Sequence, residues 1–576
     1  MTACAGTGRN AAITPGELTQ ITGSLASDKF YGRGTGTGGD SLAALFIRKE
    51  LEKAGAVPFA GTGLQPFRVN VAVEAGKNNL LSVSGREYKA GADFMPLALS
   101  SNSALNASVV FCGYGLLPSG DTLHRDDFAG LDLTGKWALV LRGFPESDPA
   151  SSGYGSISTD RIKVLNAKDK GASGVMLVSG EKWDVADNLD KPSRSEARAG
   201  LPVIQIRRNV ADSILKNSAL TLKELEMRAA DSESPAGLMT ETIVDAVADV
   251  EKKEAVTSNV IMQIEGNANA GEYVIIGAHY DHLGMGGPGS SSRVPDTVAV
   301  HYGADDNASG VALMIELAEK LAASKTGHAR SIVFVAFSGE EMGLLGSKHF
   351  VENMGIEPAA IDLMINLDMV GRMKEGNGLQ VGGVGTAAGL RESVVANSDT
   401  SAIRLTFTSE GYGPSDHSSF YGKNIPVLYF TTGAHLDYHT PRDTPDKLNY
   451  EGMVRIGELL TGIVSTAASR PTRLTFTEAG PREPSGPMGR RRGVTLGIMP
   501  DFAGNVTNGL RADFVTPGKP AALGGMVKGD IIVAIDSKSV SNIEDYMFRL
   551  SQLKPGQTVP VEVLRNGNRE VLLIQL

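Results

Sequence analysis

Cysteine is scarce in this sequence: among 576 residues there are two, Cys4 and Cys112. Cys112 ends the apolar run Val109-Val110-Phe111, where a lone thiol without a partner motif is typical of a core residue rather than a nucleophile. A net charge of −10 argues against a broad nucleic-acid-binding surface, which needs clustered Lys and Arg. No apolar run approaches the roughly 20 residues that cross a bilayer, so the sequence predicts no membrane span.

Cys4 has a separate interpretation. The start of the chain, Met1-Thr2-Ala3-Cys4-Ala5-Gly6, resembles the end of a bacterial lipoprotein signal, in which a small residue precedes the lipidated cysteine. The resemblance implies a protein of the bacterial cell envelope, periplasmic or secreted, and Cys4 as the point of a lipid anchor. An unmodified Cys4 is the alternative.

Acidic residues and histidines are concentrated between Ala278 and Thr440. Each cluster follows an apolar run that is typical of a buried strand, and each offers carboxylate oxygens or imidazole nitrogens of the kind that bind divalent zinc. The clusters read GAHYDHLG at 277–284, GADDNASG at 303–310, FSGEEMG at 337–343, NLDMVG at 366–371 and LDYHTPRDT at 436–444. Five such ligands, one of them bridging, are enough for two metal ions.

The same stretch alternates short apolar runs with helical patterns. This alternation predicts an α/β fold with a mostly parallel or mixed central sheet covered by helices, in which ligands bind beyond the carboxyl ends of the strands. We predict a discontinuous catalytic domain at 11–80 and 240–470, interrupted by a β-rich insertion at 81–239. A linker at 471–489 and a compact domain at 490–576 follow. The glycine-rich segment 31–39 follows no strand and lacks a Lys-Ser/Thr ending, which argues against a phosphate-binding loop.

The insertion and the C-terminal domain each resemble a known module. The segments FAGLDLTGKWALVLRG, RIKVLNAKDKGASGVMLVS and LPVIQI of the insertion resemble the protease-associated (PA) domain. The segment GGMVKGDIIVAID and the loop Thr495, Leu496, Gly497 and Ile498 resemble a PDZ domain. That resemblance implies capture of a peptide C-terminus at this loop; a docking or dimerising module is the alternative.

Taken together, the clusters resemble those of the M28 family of zinc peptidases. The resemblance implies two Zn2+ ions, the first held by His279, Asp305 and Asp368. It implies a second ion held by Asp305, Glu341 and His439, with Asp305 as the bridge, Glu340 as the general base and a cis peptide bond between Asp305 and Asp306. Tyr438 matches a tyrosine that stabilises the oxyanion in some relatives. Asp281, two residues after His279, is placed to accept the other imidazole proton.

Three functions remain open from the sequence. The first is an aminopeptidase acting on peptide substrates through water activated by zinc and Glu340. The second is a carboxypeptidase or a glutaminyl-cyclase-like enzyme of the same fold. The third is a non-catalytic peptide-binding protein that acts through its PA and PDZ modules.

Overall fold

The protein is described by a computed structural model. It covers residues 12–118, 125–145, 157–192, 198–231, 237–287, 290–324, 327–373, 378–399, 403–479, 494–500, 509–516 and 518–576. Cys4 and part of the predicted linker therefore lie outside the described residues. The chain forms two compact units, one built mainly from the residues before Asn70 and from Ala255 to the linker, the other from Asn70–Glu254 and most of the C-terminal module. The predicted α/β class with a β-rich insertion and a PDZ-like domain is confirmed.

Twelve α-helices occur in the described residues. They are α1 (Pro15–Leu25), α2 (Gly38–Lys53), α3 (Asp160–Asp169), α4 (Arg208–Leu215), α5 (Leu222–Ala230), α6 (Gly310–Ala322), α7 (Leu345–Asn353), α8 (Leu390–Ala396), α9 (His417–Tyr421), α10 (Tyr450–Ser469), α11 (Pro520–Leu523) and α12 (Ile543–Ser551). Three short 3-10 turns cover Asp28–Arg33, Pro358–Ala360 and Pro445–Lys447, and a π-type turn covers Ala304–Ser309.

The strands are β1 (Val57–Pro58), β2 (Leu64–Ala75), β3 (Leu80–Val83), β4 (Arg86–Tyr88), β5 (Phe94–Pro96), β6 (Ser103–Phe111), β7 (Trp137–Leu141), β8 (Gly174–Val178), β9 (Val203–Ile206), β10 (Leu238–Ala248), β11 (Val250–Ile264), β12 (Asn269–His279), β13 (Arg330–Phe337), β14 (Ile361–Leu367), β15 (Leu379–Gly382), β16 (Leu405–Phe407), β17 (Val427–Thr431), β18 (Ile498–Pro500), β19 (Leu510–Val515), β20 (Ile531–Ile535), β21 (Lys538–Ser539), β22 (Thr558–Arg565) and β23 (Asn568–Gln575).

The first unit is organised around a mixed sheet with the strand order β1-β11-β13-β12-β14-β17-β15-β16, and β2 pairs with β11. Its centre is parallel, because β12 pairs in parallel with both β13 and β14, and β14 pairs in parallel with β17. Every residue of β13 and β14 is buried, as expected for strands covered by helices on both faces. The carboxyl ends of these four strands therefore meet at one edge.

Helices α1, α2, α6 and α10 pack on this sheet through one hydrophobic core. The central helix α6 buries ten of its thirteen residues, from Gly310 to Leu321. Leu313, Leu317 and Leu321, which repeat every four residues along α6, are part of that core. Because α6 begins directly after the GADDNAS segment, its burial holds that segment against the sheet.

The second unit contains two separate sheets. Residues of the PA-like insertion form an eight-stranded sheet with the order β4-β3-β10-β6-β7-β8-β9-β5, and the fully buried Trp137 starts its central strand β7. The C-terminal module forms a six-stranded sheet in which Asn566 and Gly567 make the turn between β22 and β23 with positive φ angles. Two ion pairs, Arg161 with Asp545 and Asp169 with Arg549, join α3 of the insertion to α12 of the C-terminal module.

The loop predicted to bind a peptide C-terminus, 495–498, leads directly into β18. Leu496 is buried and its carbonyl accepts a hydrogen bond from the Ala521 amide at 2.8 Å. Gly497 has a φ of +76°. None of the helices in the described residues is both long and apolar enough to cross a membrane.

Candidate metal centre

Three ligand-type side chains, two at strand ends and one in the turn before α6, converge on one point. His279 is the last residue of β12, and its Nε2 lies 3.2 Å from Oδ1 of Asp306 and 3.4 Å from Oδ1 of Asp368. Asp368 directly follows β14, the parallel neighbour of β12. All three side chains are buried. Their arrangement is one that holds a divalent metal ion.

A second group meets on the other side of Asp306. Oδ2 of Asp306 lies 3.3 Å from Nε2 of His439, which is 3.2 Å from Oε2 of Glu341. His439 is oriented by the Ser291 carbonyl, 3.1 Å from its Nδ1. Because Nδ1–H is donated to that carbonyl, Nε2 carries the lone pair, which faces the carboxylates of Asp306 and Glu341. Asp306 thus turns one oxygen to each group.

The bridging position was predicted one residue too early. Asp305 points away from both groups, because its Oδ1 accepts hydrogen bonds from the Gly371 amide at 2.6 Å and the Ser309 hydroxyl at 3.0 Å. Asp306 takes the predicted place of Asp305. The cis peptide bond likewise lies between Asp306 and Asn307, not between Asp305 and Asp306. The backbone leaves helical geometry at Asp306 and Asn307. The sequence therefore does not show which of the two adjacent aspartates faces the groups, and the bridge was assigned to the wrong one.

Glu340 lies beside the ligand Glu341 but joins neither group. Burial, together with the neighbouring carboxylates Asp368 and Asp416, raises its pKa well above the ordinary value, while His279 opposes that rise. A carboxyl group with a raised pKa can hold a proton near neutral pH, as a general base must after it has taken one.

Asp281 has a different role from the predicted one. The Nδ1 atom of His279 lies 3.2 Å from the backbone carbonyl of Asp281 and 3.8 Å from its carboxylate. That carboxylate instead accepts the amides of Glu340 and Glu341, at 3.1 and 3.3 Å, and the hydroxyl of Thr35 at 2.8 Å. Asp281 therefore positions the backbone that carries the two glutamates.

Tyr438 stacks on the ring of His439, with 3.8 Å between the ring centroids, and the guanidinium of Arg293 lies 4.9 Å above the Tyr438 ring. Burial and then the carboxylates of Asp306 and Glu341 raise the pKa of Tyr438, so its hydroxyl keeps its proton and is a hydrogen-bond donor. The structure thus places Tyr438 at the site without showing its contact with substrate.

Two buried residues that the sequence interpretation missed support the ligands. Oδ2 of Asp443 accepts the amides of Asp305 and Asp306, at 2.8 and 3.1 Å. The fully buried Arg33 donates to the carbonyls of Tyr280 and Gly303, at 2.7 and 2.8 Å. The only sequence signals were an aspartate four residues after His439 and an arginine within the glycine-rich segment.

The packing of the backbone around Arg33 explains why the segment 31–39 contains glycine. The segment passes beside the site: the carbonyls of Gly32 and Arg33 accept the amides of Gly284 and His282, at 3.0 and 3.1 Å. A Cβ atom at Gly32 would lie 2.2 Å from the carbonyl oxygen of Gly284. Glycine is therefore required at position 32 for close backbone approach.

The donor set fits divalent metal ions. Oδ2 of Asp306 and Nε2 of His439 are buried without a hydrogen-bond partner, although buried polar atoms are nearly always partnered. Both face the second group, and the ligands comprise carboxylates and imidazoles alone, the combination that suits zinc. The serine of Ser415-Asp416-His417 accepts a hydrogen bond from Asn366 at 2.8 Å, while His417 stacks on Tyr429, so these residues do not form a serine triad.

Comparison with known proteins agrees with this geometry. Peptidase family M28 matches residues 259–464, the PA domain matches 103–214 and the PDZ domain matches 497–576. The M28 match contains every ligand of the two groups. Residues 259–464 are a peptidase domain of family M28, and the chain is a metallopeptidase. The resemblances to the M28 family and to the PA and PDZ domains are thereby confirmed.

Among curated relatives, aminopeptidase YwaD of Bacillus subtilis is 26% identical over 403 residues, covering 67% of this chain and 74% of YwaD. A probable leucine aminopeptidase of Trichophyton verrucosum is 29% identical over 228 residues, covering 37% of this chain. The alignments span 56% of that fungal protein and 56% of an aminopeptidase of Pseudomonas aeruginosa, so they span little more than half of those relatives. Among solved structures, the zinc aminopeptidase BSAP from Bacillus subtilis is 22% identical with a TM-score of 0.48, covering 80% of this chain and 97% of BSAP.

Proposed function

We propose that this M28 peptidase is an aminopeptidase that uses two zinc ions to remove N-terminal residues from peptides. His279, Asp306 and Asp368 would hold one ion, and Asp306, Glu341 and His439 the other. The observation that carries the proposal is the buried carboxylate of Asp306, whose two oxygens face the two groups. The relatives named as aminopeptidases support it.

When bound, the two ions would supply a polarised water and a Lewis acid for the peptide carbonyl. Glu340 accepts the proton of the attacking water and donates it to the departing amine. Its pKa, which burial raises well above the ordinary value, favours the protonated form that donates to the amine. The Tyr438 hydroxyl, held protonated, donates to the oxyanion that develops on the substrate.

Glu340→Gln tests the role of the base. Glutamine keeps the size of the side chain but cannot accept a proton, so we expect kcat on aminoacyl anilides to fall by about 10²- to 10⁴-fold. Zinc content, measured by metal analysis, should stay at two ions per chain. Glu410→Gln, at an exposed glutamate outside both groups, is the control and should keep full activity. Zinc loss from Glu340→Gln would contradict the assignment of Glu340 as the base.

A carboxypeptidase is a second candidate, and Arg293 is the observation that favours it. The sequence showed no basic cluster near the ligands, but the structure places the exposed Arg293 over the ring of Tyr438. A guanidinium there could bind a substrate carboxylate. Peptides blocked at either end decide between the two: an aminopeptidase cleaves C-terminally amidated peptides and rejects N-acetylated ones, and a carboxypeptidase does the reverse.

The PDZ domain is proposed to bind a peptide C-terminus at the loop from Thr495 to Ile498, since backbone amides in such a loop are suited to a carboxylate. The loop passes close to Lys519 at Gly497, where a side chain would collide with that residue, so glycine is required in this loop. Titration with a fluorescent peptide, free or amidated at its C-terminus, tests the proposal. Equal affinity for the two forms would argue for docking through another surface.

A further inference from the structure

His282 is a buried histidine beside the second ligand group that the proposed reaction does not use. Its Nδ1 lies 2.8 Å from Oε1 of Glu341, and its side chain is 2% exposed. A carboxylate oxygen can only accept, so Nδ1 carries the hydrogen and donates it. His282 and His439 thus contact different oxygens of the same carboxylate, since Nε2 of His439 faces Oε2.

Backbone on two sides holds the His282 ring in this orientation. The amide of His282 donates to the carbonyl of Arg33 at 3.1 Å, and His282 forms a β-bridge with Gly34. On the other side, a Cβ atom at Gly303 would lie 2.6 Å from the ring carbons Cγ and Cδ2. Glycine at that position, with φ of +53°, gives the ring its space. The hydrogen bond to Glu341 is therefore built into the fold.

The consequence concerns how Glu341 binds metal. A carboxylate can offer one oxygen or two, and Oε1 is already engaged by His282. The amide of Glu341 is also anchored, at 3.3 Å from Oδ2 of Asp281, so the side chain starts from a fixed point. Oε2, which faces Asp306 and His439, is the oxygen that remains to bind the metal ion. One-oxygen ligation leaves a coordination position of the second ion open for substrate or water.

We propose that His282 is a positioning residue that restricts Glu341 to one-oxygen ligation of the second zinc ion. The proposal rests on the two-zinc function proposed above. The competing role is direct ligation, because His282, Asp306 and Glu341 could themselves hold an ion. Nε2 is unpartnered in both histidines, but only that of His439 faces Asp306 and Glu341, at 3.3 and 3.2 Å. The nitrogen of His282 that faces Glu341 is Nδ1, which already donates its hydrogen, so His439 is the better ligand.

A matched pair of variants tests the position of the donor. The amide nitrogen of His282→Asn can occupy the place of Nδ1, whereas that of His282→Gln reaches the place of Nε2. Zinc is titrated into the metal-free full-length protein against a chromophoric chelator, and the visible spectrum is recorded after cobalt replaces zinc. His328→Asn is the control, because His328 is equally buried but contacts the Leu321 carbonyl.

For His282→Gln we expect the Kd of the second zinc to rise about 10- to 100-fold, the usual effect of losing a partner of a metal ligand. The spectrum of the second cobalt should change, while the first site stays as in the wild type. His282→Asn should restore both values to within a few-fold, and His328→Asn should leave them unchanged. If His282→Gln does not fold, His282→Leu removes the donor instead and should show the same loss.

Unchanged second-site affinity and spectrum in His282→Gln would overturn the inference. Loss of the second ion from both His282→Asn and His282→Gln would also overturn it, because it would make His282 a ligand. Wild-type protein that binds fewer than two zinc ions would instead overturn the proposed function, so the two failures are distinguishable.

Discussion

The peptidase domain and the PA domain both bury charged side chains, but they partner them differently. In the PA domain, the ammonium of Lys163 donates to the carbonyls of Leu141 and Gly143, and Asp127 accepts the guanidinium of Arg125 at 2.6 Å. In the peptidase domain, Oδ2 of Asp306 has no hydrogen-bond partner. A buried charge with its partners in place is tolerated within a fold, whereas buried acids arranged around a common point mark a site for a ligand.

The largest expected effect separates the two adjacent aspartates of the site. Asp306→Asn removes the negative charge and replaces one of the two carboxylate oxygens with an amide nitrogen. We expect kcat/KM to fall at least about a thousandfold, since metal polarisation supplies several kcal/mol. Zinc content should fall as well. Asp305→Asn is the matched control, because its amide oxygen can still accept from Gly371 and Ser309. Equal loss of zinc and activity in the two variants would mean that Asp306 is not the bridge.

A stability effect without an activity effect is expected in the PA domain. Asp127→Asn leaves the buried guanidinium of Arg125 without its carboxylate, which costs about 3 kcal/mol of unfolding free energy. Urea unfolding followed by hydrogen exchange should show the loss in the PA domain, while zinc content and the kcat of the folded enzyme stay at wild-type values. A lowered zinc content would show that this pair, too, supports the metal centre.

The smallest effect, taken per pH unit, is a pH dependence of the stability of the PA domain. Burial lowers the pKa of Lys163 to about 7, below its value in the unfolded chain. Between that pKa and the ordinary lysine value near 10.4, the unfolded chain binds more protons than the folded one, so stability rises with pH by up to about 1.4 kcal/mol per unit. Lys163→Met should flatten this rise, and Lys170→Met, an ion-paired residue after the same helix, should not. Identical slopes of unfolding free energy against pH in wild type and Lys163→Met would contradict the assignment of this pH dependence to Lys163.

The local pattern was sufficient to predict much of this protein. An apolar run followed by a histidine or an acid needs no knowledge of distant residues to be recognised, and the parallel sheet then brings such strand ends together. The clusters that contain His279, Asp368, Glu341 and His439 were recognised from local sequence, and the resemblance to the M28 family implied that these residues are ligands. The structure brings them together around a shared aspartate. Glu340 likewise lies beside them, as the order of residues after β13 indicated.

Other residues could not be assigned from local pattern. The backbone angles of the turn before α6 decide whether Asp305 or Asp306 faces the metal positions. Those angles depend on Asp443, a residue distant in sequence whose carboxylate accepts hydrogen bonds from both amides. Asp281 was expected to orient His279 through its carboxylate, but the backbone carbonyl lies closer because the carboxylate is taken by two amides.

The sequence by itself determined the kind of site and its place at the carboxyl ends of the strands, because strand periodicity and ligand chemistry are local properties. The tertiary structure decided which oxygen of which aspartate is shared, and it brought Arg33 and His282 to the ligands. Those contacts join residues about 250 positions apart through backbone carbonyls, which carry no signature in the sequence.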